Sequence, residues 1–149
     1  MFDAKSVKIS PTTDIVIDNP VTQQPYLVSV AVPDGAGGER TEQRPLSVTV
    51  HGPGTKEFKA AQAESQKAFM ATFHRGKSKE TPAQKEAREA EFLTACTVSF
   101  NNFTYGGGDA RAKDTFRACY LDAEMGWITS QVNDGLGDWA GFMQAAPTS

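Results

Sequence analysis

The sequence predicts an α+β protein, with a small antiparallel β-sheet in its N-terminal third followed by a helical C-terminal region. Three runs rich in β-branched and aromatic residues lie between residues 14 and 51, and such residues fit a pleated surface. Beyond residue 54, apolar residues recur at three- and four-residue steps behind clear helix starts. We therefore expect a β-rich segment at residues 1–54 and a helical region at residues 55–149, which together form one compact domain of ordinary size.

The β-type runs set the expected strands. Residues 14–18 and 26–32 are expected to pair as a hairpin with a longer loop. Residues 33–44 are a glycine-rich loop and a polar continuation. Residues 46–51 then alternate apolar and polar side chains with period two, which indicates a half-exposed strand. Such a sheet needs cover on its apolar face, and the helices are expected to supply it.

Helix starts are marked by caps. Thr55 is an N-cap candidate, and Thr81-Pro82-Ala83-Gln84 combines an N-cap, a proline at the first helical position and a capping box. Asp109 can cap a further helix. The predicted helices cover residues 56–74, 82–98, 109–120 and 123–143, with a linker at residues 75–81.

The last predicted helix carries the most regular apolar stripe of the chain. Four glycines interrupt it, and each costs about 1 kcal/mol relative to alanine in a helix interior. They indicate close packing or a break near Gly135. The stripe, which we assign to the core, consists of Met125, Ile128, Val132, Leu136, Trp139 and Met143.

Composition and charge narrow the class of protein. The formal net charge is −3 at pH 7, so there is no overall basic excess to bind a phosphate backbone. No apolar run is long enough to span a bilayer, and the first residues lack the apolar core of a signal peptide. These observations favour a cytoplasmic protein without a membrane partner.

Catalytic and ligand-binding signatures are weak. His51 and His74 adjoin no nucleophile or metal motif, and Cys96 and Cys119 are expected to be small buried residues, with a disulfide as the alternative. The Gly76-Lys77-Ser78 triplet lacks the other features of a phosphate-binding loop. We therefore predict no enzyme, no catalytic residues, no cofactor and no metal.

A basic cluster between the first two helices raises the question of nucleic acid. Arg75, Lys77 and Lys79 give at most a weak, salt-sensitive attraction for phosphate, and a solvated linker is the preferred interpretation.

Partner binding is the better-supported role. Residues 118–149 contain no lysine or arginine but hold four acidic residues and four aromatic residues. Three of the aromatic residues are Tyr or Trp, which are favoured interface anchors. The alternative is that these aromatic side chains fill a small core. The residues that we predict to contact a partner are Phe103, Tyr105, Trp127, Asp134, Asp138 and Phe142.

The order of these features resembles the tail assembly chaperones of long-tailed bacteriophages. The resemblance is closest in the last third and looser in the first third, and it departs from the family in the glycine-rich loop and at Gly141. The sequence segments that carry the resemblance are Asp18-Asn19-Pro20, residues 93–103, Cys119-Tyr120, Gly126-Trp127-Ile128, Gln131-Val132 and residues 137–143.

This resemblance implies a non-catalytic protein of the host cytoplasm. It would bind the tape measure protein during tail assembly, keep its long apolar helices soluble, and help to recruit tail tube subunits. Two alternatives stay open. One is a structural tail or head-tail joining protein, favoured by the β-rich first third. The other is a small modulator of nucleic acid or of a host factor, favoured by the basic cluster.

Overall fold

The computed structural model describes residues 1, 3–74, 77–78, 80–138 and 143–145. Short 3-10 helices lie at Ala4–Ser6 and Ala123–Met125. The strands and helices are, in chain order, β1 Val7–Ile9, β2 Thr12–Val16, β3 Leu27–Pro33, β4 Glu39–Pro45, β5 Ser47–His51, α1 Lys56–Met70, β6 Phe73–His74, β7 Lys77–Ser78, α2 Pro82–Cys96, β8 Thr97–Asn101, α3 Lys113–Leu121, α4 Gly126–Leu136 and β9 Met143–Ala145. The predicted α+β class, with its sheet in the first part and helices after it, is confirmed.

The central sheet is three-stranded and antiparallel, in the order β2-β5-β8. Val48 of β5 lies opposite Phe100 of β8, and a register shift follows between Thr49 and Val50. Val48, Val50 and Phe100 are buried. The other face is polar, because the Asn101 amide donates to the Thr49 hydroxyl at 2.8 Å and that hydroxyl donates to Asp14.

The predicted hairpin of residues 14–18 with 26–32 is wrong. Strand β2 pairs with β5, while β3 pairs with β4 to form a separate two-stranded ribbon. The strands meet in a cycle of three backbone hydrogen bonds: Ile17 N–H to Leu46, Leu46 N–H to Tyr26, and Tyr26 N–H to Ile17, each 2.9 Å long. Two ladders diverge from this junction. The Tyr26–Ile17 hydrogen bond and the isolated bridge of Asp18 with Pro25 are what the structure keeps of the expected pairing.

The polar continuation after the glycine-rich loop, predicted to run to residue 44 and not assigned to a strand, forms β4. Its charged side chains stay largely exposed at the edge of the ribbon while its backbone pairs with β3. On an edge strand, charged side chains can stay in water while the backbone pairs with a neighbouring strand. The composition of residues 39–45 alone therefore does not indicate a strand.

The first two helices begin where their caps predict. The Thr55 hydroxyl accepts from the Phe58 N–H, and Thr81 and Gln84 form the expected capping box. Helix α1 ends at Met70 instead of residue 74. Residues 73–74 pair with residues 77–78 as a short hairpin, which occupies part of the predicted linker. Arg75, Gly76 and Lys79 lie outside the described residues.

The predicted continuation of α2 to residue 98 is wrong, because β8 begins at Thr97. Pairing of β8 with β5 supplies the backbone partners that another helical turn would have supplied. Helix α3 starts at Lys113 and has no side-chain cap. Asp109 instead accepts from the Arg111 N–H in the preceding turn.

The long final helix is also shorter than predicted. Residues 123–125 form a 3-10 turn, and α4 ends at Leu136 close to the glycine where we expected a break. Residues 143–145 form β9 and pair with β1, so the stripe does not extend to Met143 as a helix. Trp139 lies outside the described residues.

The core joins the sheet to the helices. Ile128, Val132 and Leu136 of the predicted stripe are buried, and Met125 packs at the edge of the core. None of the described helices is long and apolar enough to cross a membrane. The buried apolar residues of the core are Ile17, Leu46, Val48, Val50, Phe58, Ala61, Ala90, Leu93, Cys96, Phe100, Phe116, Cys119, Tyr120, Ile128, Val132 and Leu136.

Candidate protein-binding site

Helix α1 rests on α2 along a narrow line of side chains. Only Phe58 and Ala61 of α1 are buried, and Ser65 and Phe69 continue the same face at helical spacing. Phe58 meets Phe92 of α2 edge-to-face, with ring centroids 5.5 Å apart. Most of α1 is therefore left exposed, with open space on both flanks of the contact line.

A groove lies between α1 and α2 on one flank. Small side chains at Ala60, Ala61 and Ala95 keep the two helices from filling this space, and Phe92 contributes an aromatic wall. The cavity has a volume of about 660 Å³, within the range of ligand-binding clefts. The α1–α2 groove is lined by His51, Glu57, Ala60, Ala61, Glu64, Ser65, Glu91, Phe92, Ala95 and Lys113.

The charge on the rim of the groove is mostly negative. Glu57 and Glu64 form no ion pair within the part of the chain that the structure describes. They lie seven residues apart on α1, or about 10 Å along the helix axis. Glu91, on the opposite wall, is bound by the guanidinium of Arg117.

The one lysine of the groove is engaged by the fold. The Lys113 ammonium donates to the backbone carbonyls of Thr94 at 3.0 Å and Thr97 at 2.8 Å. It thereby binds carbonyls at the junction where α2 ends and β8 begins. Desolvation lowers the pKa of Lys113. Because the Lys113 ammonium binds backbone carbonyls, it does not neutralise Glu57 or Glu64. These two carboxylates are therefore available to a ligand.

Arg88 of α2, held by an ion pair with Glu80, contacts the far half of α1. The Arg88 guanidinium donates to both carboxylate oxygens of Glu80, at 2.7 and 3.0 Å, and to the Ser65 hydroxyl at 3.2 Å. Arg88 also lies over the Phe69 ring, 5.2 Å from its centroid. The hydrogen bond from Arg88 lowers the pKa of Glu80, and the same bond raises the pKa of Arg88. These contacts hold the width of the groove.

A second cleft opens on the other flank of the contact line. It also has a volume of about 660 Å³, and Ser65 and Phe92 border both cavities. Its lining is more polar, with three amide side chains and the Arg88 guanidinium. The lining residues are Gln62, Ser65, Gln66, Phe69, Arg88, Glu89, Phe92 and Asn133.

Two of the predicted partner-contact residues are tied to the body of the protein. The half-buried Phe103 ring stacks on Phe100 with centroids 4.5 Å apart. The Tyr105 hydroxyl donates to Asp122 at 2.6 Å, which raises the pKa of Tyr105 and lowers the pKa of Asp122. Both aromatics thus anchor the loop after β8.

The other predicted contact residues lie on or beyond α4. Trp127 is half-buried and stacks on Tyr26, with centroids 5.9 Å apart. Asp134 and Asp138 are exposed, and Phe142 lies outside the described residues. Trp127 therefore contacts the N-terminal segment, whereas Phe103 and Tyr105 contact β8 and the turn after α3. The assignment of these residues to a partner stays a prediction.

The α1–α2 groove is the feature that sequence reasoning missed. A weak signal was present in the polar middle of α1, where the apolar stripe is interrupted between Gln62 and Lys67. Such an interruption indicates a helix that packs along one narrow line. Nothing in the sequence pairs Ala60 with Ala95, which line the same cavity only in the folded chain.

The thiols and histidines give no catalytic arrangement among the described side chains. Cys96 and Cys119 are both buried and free, as predicted, and desolvation raises the pKa of Cys96 to about 12 and that of Cys119 to about 11. His51 is half-buried at the edge of the groove. The described part of the chain holds no cluster of three or more His, Cys, Asp or Glu residues that could bind a metal.

Comparison with protein-family models finds no matching family. Comparison with curated proteins and with solved structures finds no significant match either.

Proposed function

We propose that the chain is a non-catalytic tail assembly chaperone that acts in the host cytoplasm and holds an apolar helical segment of a tape measure protein in the α1–α2 groove. The groove is the observation that supports this proposal. It combines an apolar floor, two helical walls and two rim carboxylates, Glu57 and Glu64, that form no ion pair among the described residues. These are the features of a site that receives an amphipathic helix along its apolar face.

The chemistry of the groove sets the expected partner segment. Small apolar side chains of the partner fit over Ala60, Ala61 and Ala95, where the floor is shallow. Lysine or arginine residues about two helical turns apart could then reach Glu57 and Glu64. Such pairs on the rim steer and orient the partner more than they add affinity.

A chaperone role follows from what the groove would cover. Long apolar helices aggregate unless their apolar faces are shielded from water. The resemblance described above supplies the identity of the partner, and the groove supplies a place for it. In this proposal the tail tube subunits are recruited after the tape measure segment is bound.

Co-expression with the tape measure protein of the same phage tests the proposal. The wild-type chain should raise the soluble fraction of that protein and co-purify with it. Ala95→Trp places an indole in the groove and should abolish both effects. Ala87→Trp on the same helix is the matched control, because Ala87 is exposed and lies outside both cavities.

The two variants separate the site from general damage to α2. Both lose a similar amount of helix propensity, since both replace alanine by tryptophan. If wild type leaves the tape measure protein as insoluble as expression without it, the chaperone proposal fails. If Ala95→Trp acts like wild type, the groove is not the site.

A structural tail or head-tail joining protein is the second candidate. The ribbon of β3 and β4 favours it, because these two strands contact each other far more than they contact any other element of the fold. Quantification in purified virions distinguishes the two functions. A chaperone should be absent from finished particles, whereas a structural component should be present in a fixed ratio to the tail proteins.

A further inference from the structure

The outer edge of β3 is unpaired within the described part of the chain. Strand β3 pairs with β4 alone. The backbone hydrogen bonds from Asp34 to Gly38 and from Leu46 to Tyr26 fix the phase of this ladder. Because bonded and non-bonded pairs alternate, Leu27, Ser29 and Ala31 direct their N–H and C=O groups away from β4.

This edge differs in its chemistry from the edges of β2, β4 and β8. Strand β4 carries four charged residues, and β2 carries Asp14. The outer side of β8 is covered, since the Phe100 N–H donates to the Ala110 carbonyl at 2.8 Å. Residues 27–32 contain no charge, proline or glycine. Proteins block open edges with charges or prolines, and an uncharged β-type segment is a template for pairing.

We propose that the β3 edge pairs with the β3 edge of a second copy of this chain, so that two ribbons form one four-stranded antiparallel sheet. When a two-fold axis relates two antiparallel strands, the residues that it places opposite each other lie on the same face of the sheet. With the axis at Ser29, the outward backbone groups of both copies meet in hydrogen-bonded pairs. Val28 then faces Val30 of the second copy, and Leu27 faces its Ala31.

The charges of the ribbon fit this arrangement. Arg44 and Glu42 lie opposite Val28 and Val30 within one ribbon. In the four-stranded sheet, each row of two valines therefore ends in Arg44 of one copy and Glu42 of the other. Each of these two valine rows carries one cation and one anion, and the two charge-bearing β4 strands form the outer edges of the sheet.

The expected dimer is weak. Pairing of residues 27–31 of the two copies buries less than the roughly 1,200 Å² that is typical of stable complexes. A dissociation constant of about 10–100 μM follows for an interface of this class. This second surface does not rest on the proposed function, because neither β3 nor β4 lines the α1–α2 groove.

Sedimentation of matched proline variants tests the inference. Ser29→Pro removes an outward N–H and should weaken the dimer at least tenfold, while an edge proline with its nitrogen facing outward is tolerated in the ribbon. Thr41→Pro makes the same change on the outer edge of β4 and should leave the dimer intact. A wild-type chain that stays monomeric at about 0.5 mM, well above the expected dissociation constant, would overturn the proposal. Loss of the dimer in Thr41→Pro alone would also overturn it.

Cysteine cross-linking tests the register independently of folding losses. Ser29→Cys should form an intermolecular disulfide on mild oxidation, because the two Cα atoms would lie about 5.5 Å apart. Leu27→Cys is the control, since its two copies would lie about 14 Å apart. Wild type, with both thiols buried, gives the background. Equal cross-linking of the two variants, or none in Ser29→Cys, would contradict the proposed register.

Discussion

Replacement of Gly135 by alanine probes the contact between the last helix and the first strand of the central sheet. Gly135 lies in the final turn of α4 and faces Ile15 of β2. A Cβ atom at residue 135 would lie 2.5 Å from the Ile15 Cδ1 atom, 2.8 Å from Cγ1 and 3.0 Å from Cγ2. These distances are below van der Waals contact, so the helix or the side chain would have to move.

Two opposing effects set the expected magnitude. Overpacking of a methyl group costs about 1–3 kcal/mol. Alanine recovers at most about 1 kcal/mol of helix propensity, and less near a helix end. We therefore expect Gly135→Ala to lower the free energy of unfolding by about 1–2 kcal/mol. Gly126→Ala, at the start of the same helix, meets no atom within 4 Å and should be neutral or stabilising.

Urea denaturation of a double-mutant cycle measures the contact. Ile15→Val removes the Cδ1 atom that lies nearest to the added methyl group. Gly135→Ala should therefore cost at least about 0.5 kcal/mol less in the Ile15→Val background than in wild type. If Gly135→Ala stabilises the protein as Gly126→Ala does, the inferred packing of α4 on β2 is refuted.

Three further predictions concern the interior and the ion pairs. Thr97→Val leaves the buried Tyr120 hydroxyl without its 2.7 Å partner and should cost about 1–3 kcal/mol, and Tyr120→Phe added to it should cost little more. The pKa of Glu80 is held below its usual 4.5 by Arg88, so the pair stabilises the fold above about pH 4.5 and this contribution is lost as pH falls through the folded-state pKa. Urea midpoints measured from about pH 7 to about pH 3 should fall less steeply in Glu80→Gln than in wild type. The raised pKa values of Cys96 and Cys119, about 12 and about 11, predict that a thiol reagent reacts with neither in the folded chain and with both in urea, and fast labelling without urea would contradict their burial.

The starts of α1 and α2 were predictable because their determinants are local. The Thr55 cap and the capping box of Thr81 with Gln84 act within one turn of backbone, so the local sequence is sufficient to predict them. Helix ends were less predictable. Residues 73–74, 97–98 and 143 leave the predicted helices because they belong to strands that pair with other strands, and two of the three pairings join distant parts of the chain.

The strand pairing shows the same distinction. Residues 14–18 and 26–32 read as neighbours in a hairpin, but three strands compete at the junction of Ile17, Tyr26 and Leu46. The partner of β3 is a charged segment whose composition is typical of a loop. Its β structure depends on pairing with β3, which a pattern within residues 39–45 does not indicate.

The candidate site was the least predictable part. The groove arises because Ala60 and Ala95, 35 residues apart in the sequence, border the same space. Aromatic residues drew attention to the last third, yet Phe103 and Trp127 use their rings on Phe100 and Tyr26. The prediction that Cys96 and Cys119 are buried and free is confirmed. It was within reach of the sequence because free cysteine is among the residue types most often buried.

Chemical-shift mapping tests most directly whether the α1–α2 groove binds a helical segment of a tape measure protein. Isotope-labelled chain would be titrated with synthetic apolar segments of that protein that carry basic residues two turns apart. We predict shift changes centred on Ala60, Glu64 and Ala95, and their loss in Ala95→Trp but not in Ala87→Trp. Changes centred instead on Trp127 and Phe103, or no changes with any segment, would contradict the groove as the binding site.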